Sequence, residues 1–275
     1  MEAFEVLIKK YLEENNYIIK TSNTKSNVCY VFFSSHGLYK ENDNPKILKT
    51  IHDTNRYEWL SIASNENIAK NSSKLIFLRD LRKIFYQKGI NNEINSIKEI
   101  ANFLNRETKG YDVYLVGSSA GGYAAFLYSN MIKNVKRVYS WGGVINLMFH
   151  SSYYESKFFN DFNKEYSLVT PYISKNAVII HFYGTRSKYD LKEYEILATN
   201  NFDNVISVPL RTTEHAPRPS GSDIIKILSC SDSHLQKIKM KLSKKREISK
   251  TYFSIINIGL FKALINITKR LRAKK

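Results

Sequence analysis

Tyr111-Asp112-Val113-Tyr114-Leu115-Val116-Gly117-Ser118-Ser119-Ala120-Gly121-Gly122 decides how the rest of the chain is read. An apolar run ends in Gly-x-Ser-x-Gly, and Tyr123-Ala124-Ala125-Phe126-Leu127-Tyr128 continues with helical character. A strand, a glycine-flanked serine and a helix in that order predict a nucleophile elbow, a sharp turn that pushes one serine hydroxyl into the open. Gly117 and Gly121 give the turn room, because a Cβ at either place would crowd it. The register makes Ser119 the nucleophile and Ser118 its neighbour. A phosphate-binding glycine loop is the structural rival. It fails on spacing, since neither G-x-G-x-x-G nor G-x-x-x-x-G-K-[ST] is present.

Outward from the elbow, apolar runs recur. Asn27–Phe33, Lys74–Leu78, Val113–Val116, Val135–Trp141, Ala177–Tyr183 and Asn204–Leu210 read as strands. Nearly continuous runs of this kind suit strands buried on both faces of a parallel sheet. Ile94–Phe103, Leu191–Ala198 and Asp223–Leu228 read as helices between or after them. The alternation predicts βαβ units, hence an α/β fold with a mostly parallel sheet and helices on both faces. Sites in such sheets lie at the carboxyl ends of the strands. Met148–Pro171, aromatic and polar without a clean period, is either a lid over that end or an ordinary insertion loop.

A serine hydroxyl needs a base to take its proton. Of the six histidines, His36, His52, His150, His181, His215 and His234, His215 comes directly after the last core strand. The order serine, acid, histidine places the base there. His181 lies within an apolar strand and reads as a core residue, and His234 reads as solvated. The acid should follow the strand closed by Gly184. The first carboxylate after it is Asp190, which would hold the imidazole tautomer. Asp190 also reads as a cap for a helix starting at Leu191. Glu193, Glu195 and Asp203 are the alternatives. For the oxyanion hole, the Ala120 N–H is one donor, and Ser35 or His36, in Phe33-Ser34-Ser35-His36-Gly37, supplies the second. Arg186, Lys188, Arg211 and Arg218 fall in the loops expected around the site and suit an anionic substrate, or else they are solvated surface charge.

At 275 residues the chain has room for one good-sized domain and an appendage, and 43% hydrophobic content makes the bulk of it globular. Two cysteines, Cys29 and Cys230, exclude a disulfide framework and a cysteine-based zinc cluster, and no metal is expected. The early acids Glu2 and Glu5 argue against a secretory signal, and no uncharged apolar run is long enough to cross a bilayer. A cytoplasmic protein is expected. The formal net charge of +17 is concentrated after Gln236, where Glu247 alone opposes many Lys and Arg residues. We therefore divide the chain into a catalytic domain, 1–232, and a basic amphipathic helical tail, 233–275.

The elbow, the acid after a later strand and the late histidine resemble the α/β-hydrolase superfamily over about Asn27 to Cys230. Within it, Tyr114–Gly122 and Tyr189–Leu197 resemble bacterial capsule polysaccharide O-acetyltransferases with a serine triad. The resemblance implies no bound cofactor, acetyl-CoA as acyl donor, an acyl-Ser119 intermediate and a sugar hydroxyl as acceptor. That branch carries its acid a few residues past the strand-closing glycine, where this chain has Thr185, Arg186 and Ser187. Either Asp190 has taken over or the acid comes from elsewhere. A carboxylesterase or deacetylase is the alternative enzyme, and a non-catalytic hydrolase-like interaction protein the alternative outside enzymology.

In the tail, Tyr252–Arg270 is apolar, lightly interrupted and flanked by cations. Such a segment suits an anionic membrane surface, or a membrane-bound capsule assembly complex, reached through residues 236–275 at the inner face of the membrane. Packing on the core or on a partner subunit is the alternative. A basic tail also attracts nucleic acid without specificity, but no helix-turn-helix, zinc-finger or RNP pattern is present.

Overall fold

Seven strands form a single sheet in the computed structural model, which describes residues 9–36, 57–149 and 162–272. The strands are β1 (Tyr17–Thr21), β2 (Val28–Phe33), β3 (Lys74–Leu78), β4 (Asp112–Ser118), β5 (Val135–Trp141), β6 (Val178–Gly184) and β7 (Val205–Leu210). Their order across the sheet is β1-β3-β2-β4-β5-β6-β7. All neighbours run parallel except β1, which lies antiparallel on β3 with Tyr17 opposite Leu78 and Thr21 opposite Lys74. The expected parallel strands are therefore present, while β1 was not foreseen. The central strands β2 and β4 lose almost all their surface, which is why they read as unbroken apolar runs.

Helices cover both faces. On one face lie α3 (Ile97–Glu107), α4 (Ala120–Tyr128) and α5 (Lys188–Thr199). On the other lie the short α1 (Leu60–Ala63) and α2 (Glu66–Lys70), then α6 (Gly221–Leu228), α7 (Asp232–Leu242) and α8 (Lys250–Ile258). Ser96 caps α3 by accepting the Glu99 N–H, and Ser220 with Asp223 forms a capping box on α6. Every residue of α4 is buried, so its Ala-Gly-Gly start lets it lie close against β4 and β5.

The expected break at 232/233 falls in the first turn of α7. Leu235, Ile238 and Leu242 of α7 join the apolar layer under β5 to β7, and the Phe253 ring of α8 meets Phe182 edge-on at 5.3 Å. Ile248 bridges to Leu210, with its N–H on the Pro209 carbonyl and its own carbonyl accepting the Arg211 N–H. His234, read as solvated, is half-buried and lies 3.2 Å from Asn257 Oδ1. A final helix, α9 (Leu260–Arg272), turns off α8 at Gly259. No described helix is long and apolar enough to cross a membrane. His52, His150, Gly37 and half of the Met148–Pro171 segment, residues 150–161, lie outside the described residues.

His181, in β6, is wholly buried, with Nδ1 3.3 Å from Ser140 Oγ. Burial pushes its pKa down from 6.5 to about 4, although the nearby Asp190 carboxylate pulls the other way. On acidification the unfolded chain takes up this proton first. Stability tied to His181 is therefore present above pH 6.5 and is lost as pH falls from there to about 4, in total roughly 3 kcal/mol. Urea denaturation across that window should show the loss in the wild type and a flatter profile in His181→Gln.

Candidate active site

The site begins where β4 ends. Ser119 sits between Ser118, the last residue of β4, and Ala120, the first of α4, with φ 51° and ψ −116°. A side-chain-bearing residue held there costs on the order of 1–3 kcal/mol, so the surroundings must enforce it. The Ser119 N–H donates to the Trp141 carbonyl at 2.9 Å, and its carbonyl accepts the Tyr123 N–H at 3.0 Å. A Cβ on Gly117 would lie 2.0 Å from the Gly121 carbonyl oxygen, and one on Gly121 would lie 2.3 Å from the Phe33 carbonyl oxygen. Both glycines named from the sequence are thus points where backbone meets backbone. Ser118 is buried, and Ser119 is the partly open one.

His215 reaches Ser119 from the loop after β7, its Nε2 2.8 Å from Ser119 Oγ. Two strand ends permit this. Gly142, after β5, has φ 51°, and a Cβ there would lie 2.5 Å from the Ala216 Cα. Gly184, closing β6, would meet the Glu214 carbonyl oxygen at 2.6 Å. The histidine loop therefore lies directly on the ends of β5 and β6.

Asp190 completes the series, with Oδ1 2.5 Å from His215 Nδ1. A carboxylate accepts only, so Nδ1 carries the proton and Nε2 is left to accept from the serine hydroxyl. Asp190 Oδ2 accepts the Gly184 N–H at 2.9 Å and the Ala216 N–H at 3.1 Å. The carboxylate is fully buried and sits in the first turn of α5, where the helix dipole favours negative charge. One expectation needs correction: α5 starts at Lys188, not Leu191, and its cap is Ser187, whose hydroxyl accepts the Asp190 N–H at 3.4 Å. Thr185 and Arg186 hold the loop instead, their N–H groups on the Leu210 and Thr212 carbonyls. Of the alternatives, Glu193 is buried with its Oε2 accepting the Ile145 and Asn146 N–H groups, and Glu195 and Asp203 are exposed.

The Ala120 N–H opens α4, where no carbonyl one turn back within the helix is available to it. Of the two residues expected to give the second donor, Ser35 and His36, Ser35 is engaged elsewhere. The Ser35 N–H donates to Glu58 Oε2 at 2.6 Å, and the Ser35 hydroxyl donates to Glu58 Oε1 at 3.1 Å, so this amide is already taken. The His36 ring packs edge-on against Phe85, with Nε2 3.4 Å from Asp80 Oδ2. The β2 loop nonetheless borders the elbow, since Gly121 abuts the Phe33 and Ser34 carbonyls.

Glu58 was not anticipated from the sequence. Its carboxylate, 8% exposed, also binds Arg218 Nη2, and the Arg218 guanidinium lies over the Trp59 ring at 4.6 Å. Arg218 is therefore a braced part of the wall. Arg186 and Arg211 are exposed at the ends of β6 and β7 and share one carboxylate, Glu247, at 3.4 and 3.8 Å. Among the described residues, no cluster of His, Cys, Asp and Glu side chains could hold a metal ion.

No protein-family model matches this chain, and no curated protein sequence does. Solved structures match it in shape. The esterase domain of a Rhodothermus marinus protein aligns with a TM-score of 0.51 at 12% identity, over 77% of this chain and 88% of that one. Capsule O-acetyltransferase of Neisseria meningitidis serogroup A, in complex with CoA, aligns with a TM-score of 0.49 at 14% identity, over 72% and 84%. Esterase B from Lactobacillus rhamnosis gives 0.43 at 12%, over 76% and 84%. The fold is α/β-hydrolase-like, and at such identities the likeness concerns the fold alone.

Asp190→Ala would leave the Gly184 and Ala216 N–H groups and His215 Nδ1 without their acceptor. Each buried donor left unpaired costs about 1–3 kcal/mol. Urea denaturation should show a loss of about 2–5 kcal/mol, independent of any assay of chemistry.

Proposed function

We propose that this protein is a serine-dependent acyl-transfer enzyme. The observation that carries the reading is the unbroken hydrogen-bond series from Ser119 Oγ through His215 to Asp190 at a strained elbow. In this reading His215 Nε2 takes the hydroxyl proton as Ser119 Oγ bonds to an acyl carbonyl carbon. The carbonyl π electrons move to oxygen, where the Ala120 N–H meets the developing charge. Collapse of that intermediate expels the leaving group, which takes the proton from His215. An acceptor then attacks acyl-Ser119, giving its proton to Nε2, and this second intermediate collapses by breaking the acyl–Oγ bond, with Ser119 Oγ taking the proton back from Nε2. Asp190 keeps Nδ1 protonated and balances the imidazolium that forms in each half-reaction.

The finer reading is O-acetyl transfer from acetyl-CoA to a hydroxyl of a bacterial surface polysaccharide such as a capsule. Two things support it: the likeness of Tyr114–Gly122 and Tyr189–Leu197 to capsule O-acetyltransferases, and the cationic rim. Arg186 and Arg211 share a single carboxylate and Lys188 is exposed, so the rim keeps a positive surplus. That surplus suits the phosphates of CoA or an anionic glycan. One observation favours hydrolysis instead. The His215 side chain is 39% exposed, which admits water to the acyl-serine and supports a carboxylesterase or deacetylase reading.

Intact-protein mass spectrometry after incubation with acetyl-CoA separates the two. Transfer chemistry predicts one added acetyl group that is absent in Ser119→Ala. Esterase chemistry predicts no lasting adduct but hydrolysis of a small ester, lowered by about a thousandfold or more in Ser119→Ala. If neither appears, the proposal fails and the chain is a hydrolase-like interaction protein.

A further inference from the structure

Among the described residues, none covers the apolar face of α9 formed by Leu260, Phe261, Leu264 and Ile265. The helix rests on the body through Ala263, which is fully buried, and Asn266, whose Nδ2 donates to Ser222 Oγ at 2.7 Å. Leu260, Phe261, Leu264 and Ile265 turn the other way, with Phe261 77% and Leu264 51% exposed. Large apolar side chains gathered in so short a stretch are favourably buried by whatever can cover them. Lys262 stands exposed beside them. Beyond Gln236 the only acid is Glu247, and Arg186 and Arg211 already flank it. The sequence of α9 itself carries Lys262, Lys269, Arg270 and Arg272 and no acid, so the helix is cationic.

We infer that this face of α9 docks on an anionic lipid surface. Charge selects the occupant. A second copy seated face to face would bring two cationic tails together in a chain of formal charge +17, whereas anionic headgroups complement them. At 13 residues α9 is about 20 Å long, too short to span a bilayer, so it lies in the plane of the interface with its apolar side down. Its contact residue Ser222 is in the first turn of α6, which follows the loop bearing His215. Docking would thus hold the carboxyl end of the sheet, where Ser119 opens, close to the lipid. The inference is independent of the acyl chemistry.

Vesicle flotation with the full chain tests it, using phosphatidylcholine vesicles with and without phosphatidylglycerol. We expect binding to the phosphatidylglycerol vesicles, weakening with added salt, and little to phosphatidylcholine alone. The double variant Phe261→Glu, Leu264→Glu should lose about tenfold or more of that binding, with its melting temperature unchanged because both side chains are exposed. Two results would overturn the inference. One is equal vesicle binding by wild type and double variant. The other is no vesicle binding, whether or not sedimentation velocity reveals a dimer that the double variant abolishes. Such a dimer would assign the face to a second copy.

Discussion

The backbone at Gly117 touches the backbone at Gly121, and the geometry of the site depends on that approach. It closes the turn between β4 and α4 so tightly that Ser119 is left with a positive φ. Nothing in the serine itself favours that conformation. It is imposed by a strand anchored on two neighbours, by a helix buried on every side and by the Trp141 carbonyl that accepts the Ser119 N–H. The same economy of space recurs at Gly142 and Gly184, where missing side chains let the histidine loop lie on the strand ends. The site is in this sense a set of backbone contacts first and a set of side chains second.

What the sequence makes legible follows from which contacts leave a pattern. Strands largely buried on both faces carry mostly apolar residues, and the runs read at Lys74–Leu78 and Val135–Trp141 coincide with β3 and β5. β1 offers only Tyr17, Ile18 and Ile19 before Lys20 and Thr21, because an edge strand is half-wet and short, and it leaves no comparable run. α1 and α2 are only a turn or so long and carry no period to detect. That Ser119 and His215 come together is legible because a motif and a chain order tie them to strand ends. The start of α5 was misjudged because Ser187, Lys188 and Tyr189 look like loop residues until Ser187 is seen to cap the helix. Glu58 could not be found at all. Its pairing with Ser35 and Arg218 spans 23 and 160 residues, and no local signal marks such a contact.

The basic tail shows how composition can merge segments that structure separates. From 233 onward the chain reads as one cationic, amphipathic stretch, yet Leu235, Ile238 and Leu242 of α7 and Phe253 of α8 belong to the core beneath β5 to β7. Leu260, Phe261, Leu264 and Ile265 of α9, by contrast, stay exposed together, and on α7 Met240 is exposed by itself. Charge is divided in the same way. Glu247 lies against Arg186, Arg211 and Thr185 at the rim, so the tail's lone acid helps set the electrostatics at the mouth of the site.

Asp190 is mounted in the first turn of a helix, and this changes what kind of error the site tolerates. A carboxylate carried on a loop can drift by a few tenths of an ångström as the loop shortens or lengthens. A carboxylate carried on a helix obeys an angular rule, because each residue gained or lost between the Ser187 cap and Asp190 swings it by about 100° around the axis of α5. One such step would aim the carboxylate away from His215 altogether. The interval from Ser187 to Asp190 is therefore quantised: it admits many side chains at Lys188 and Tyr189 but only one length.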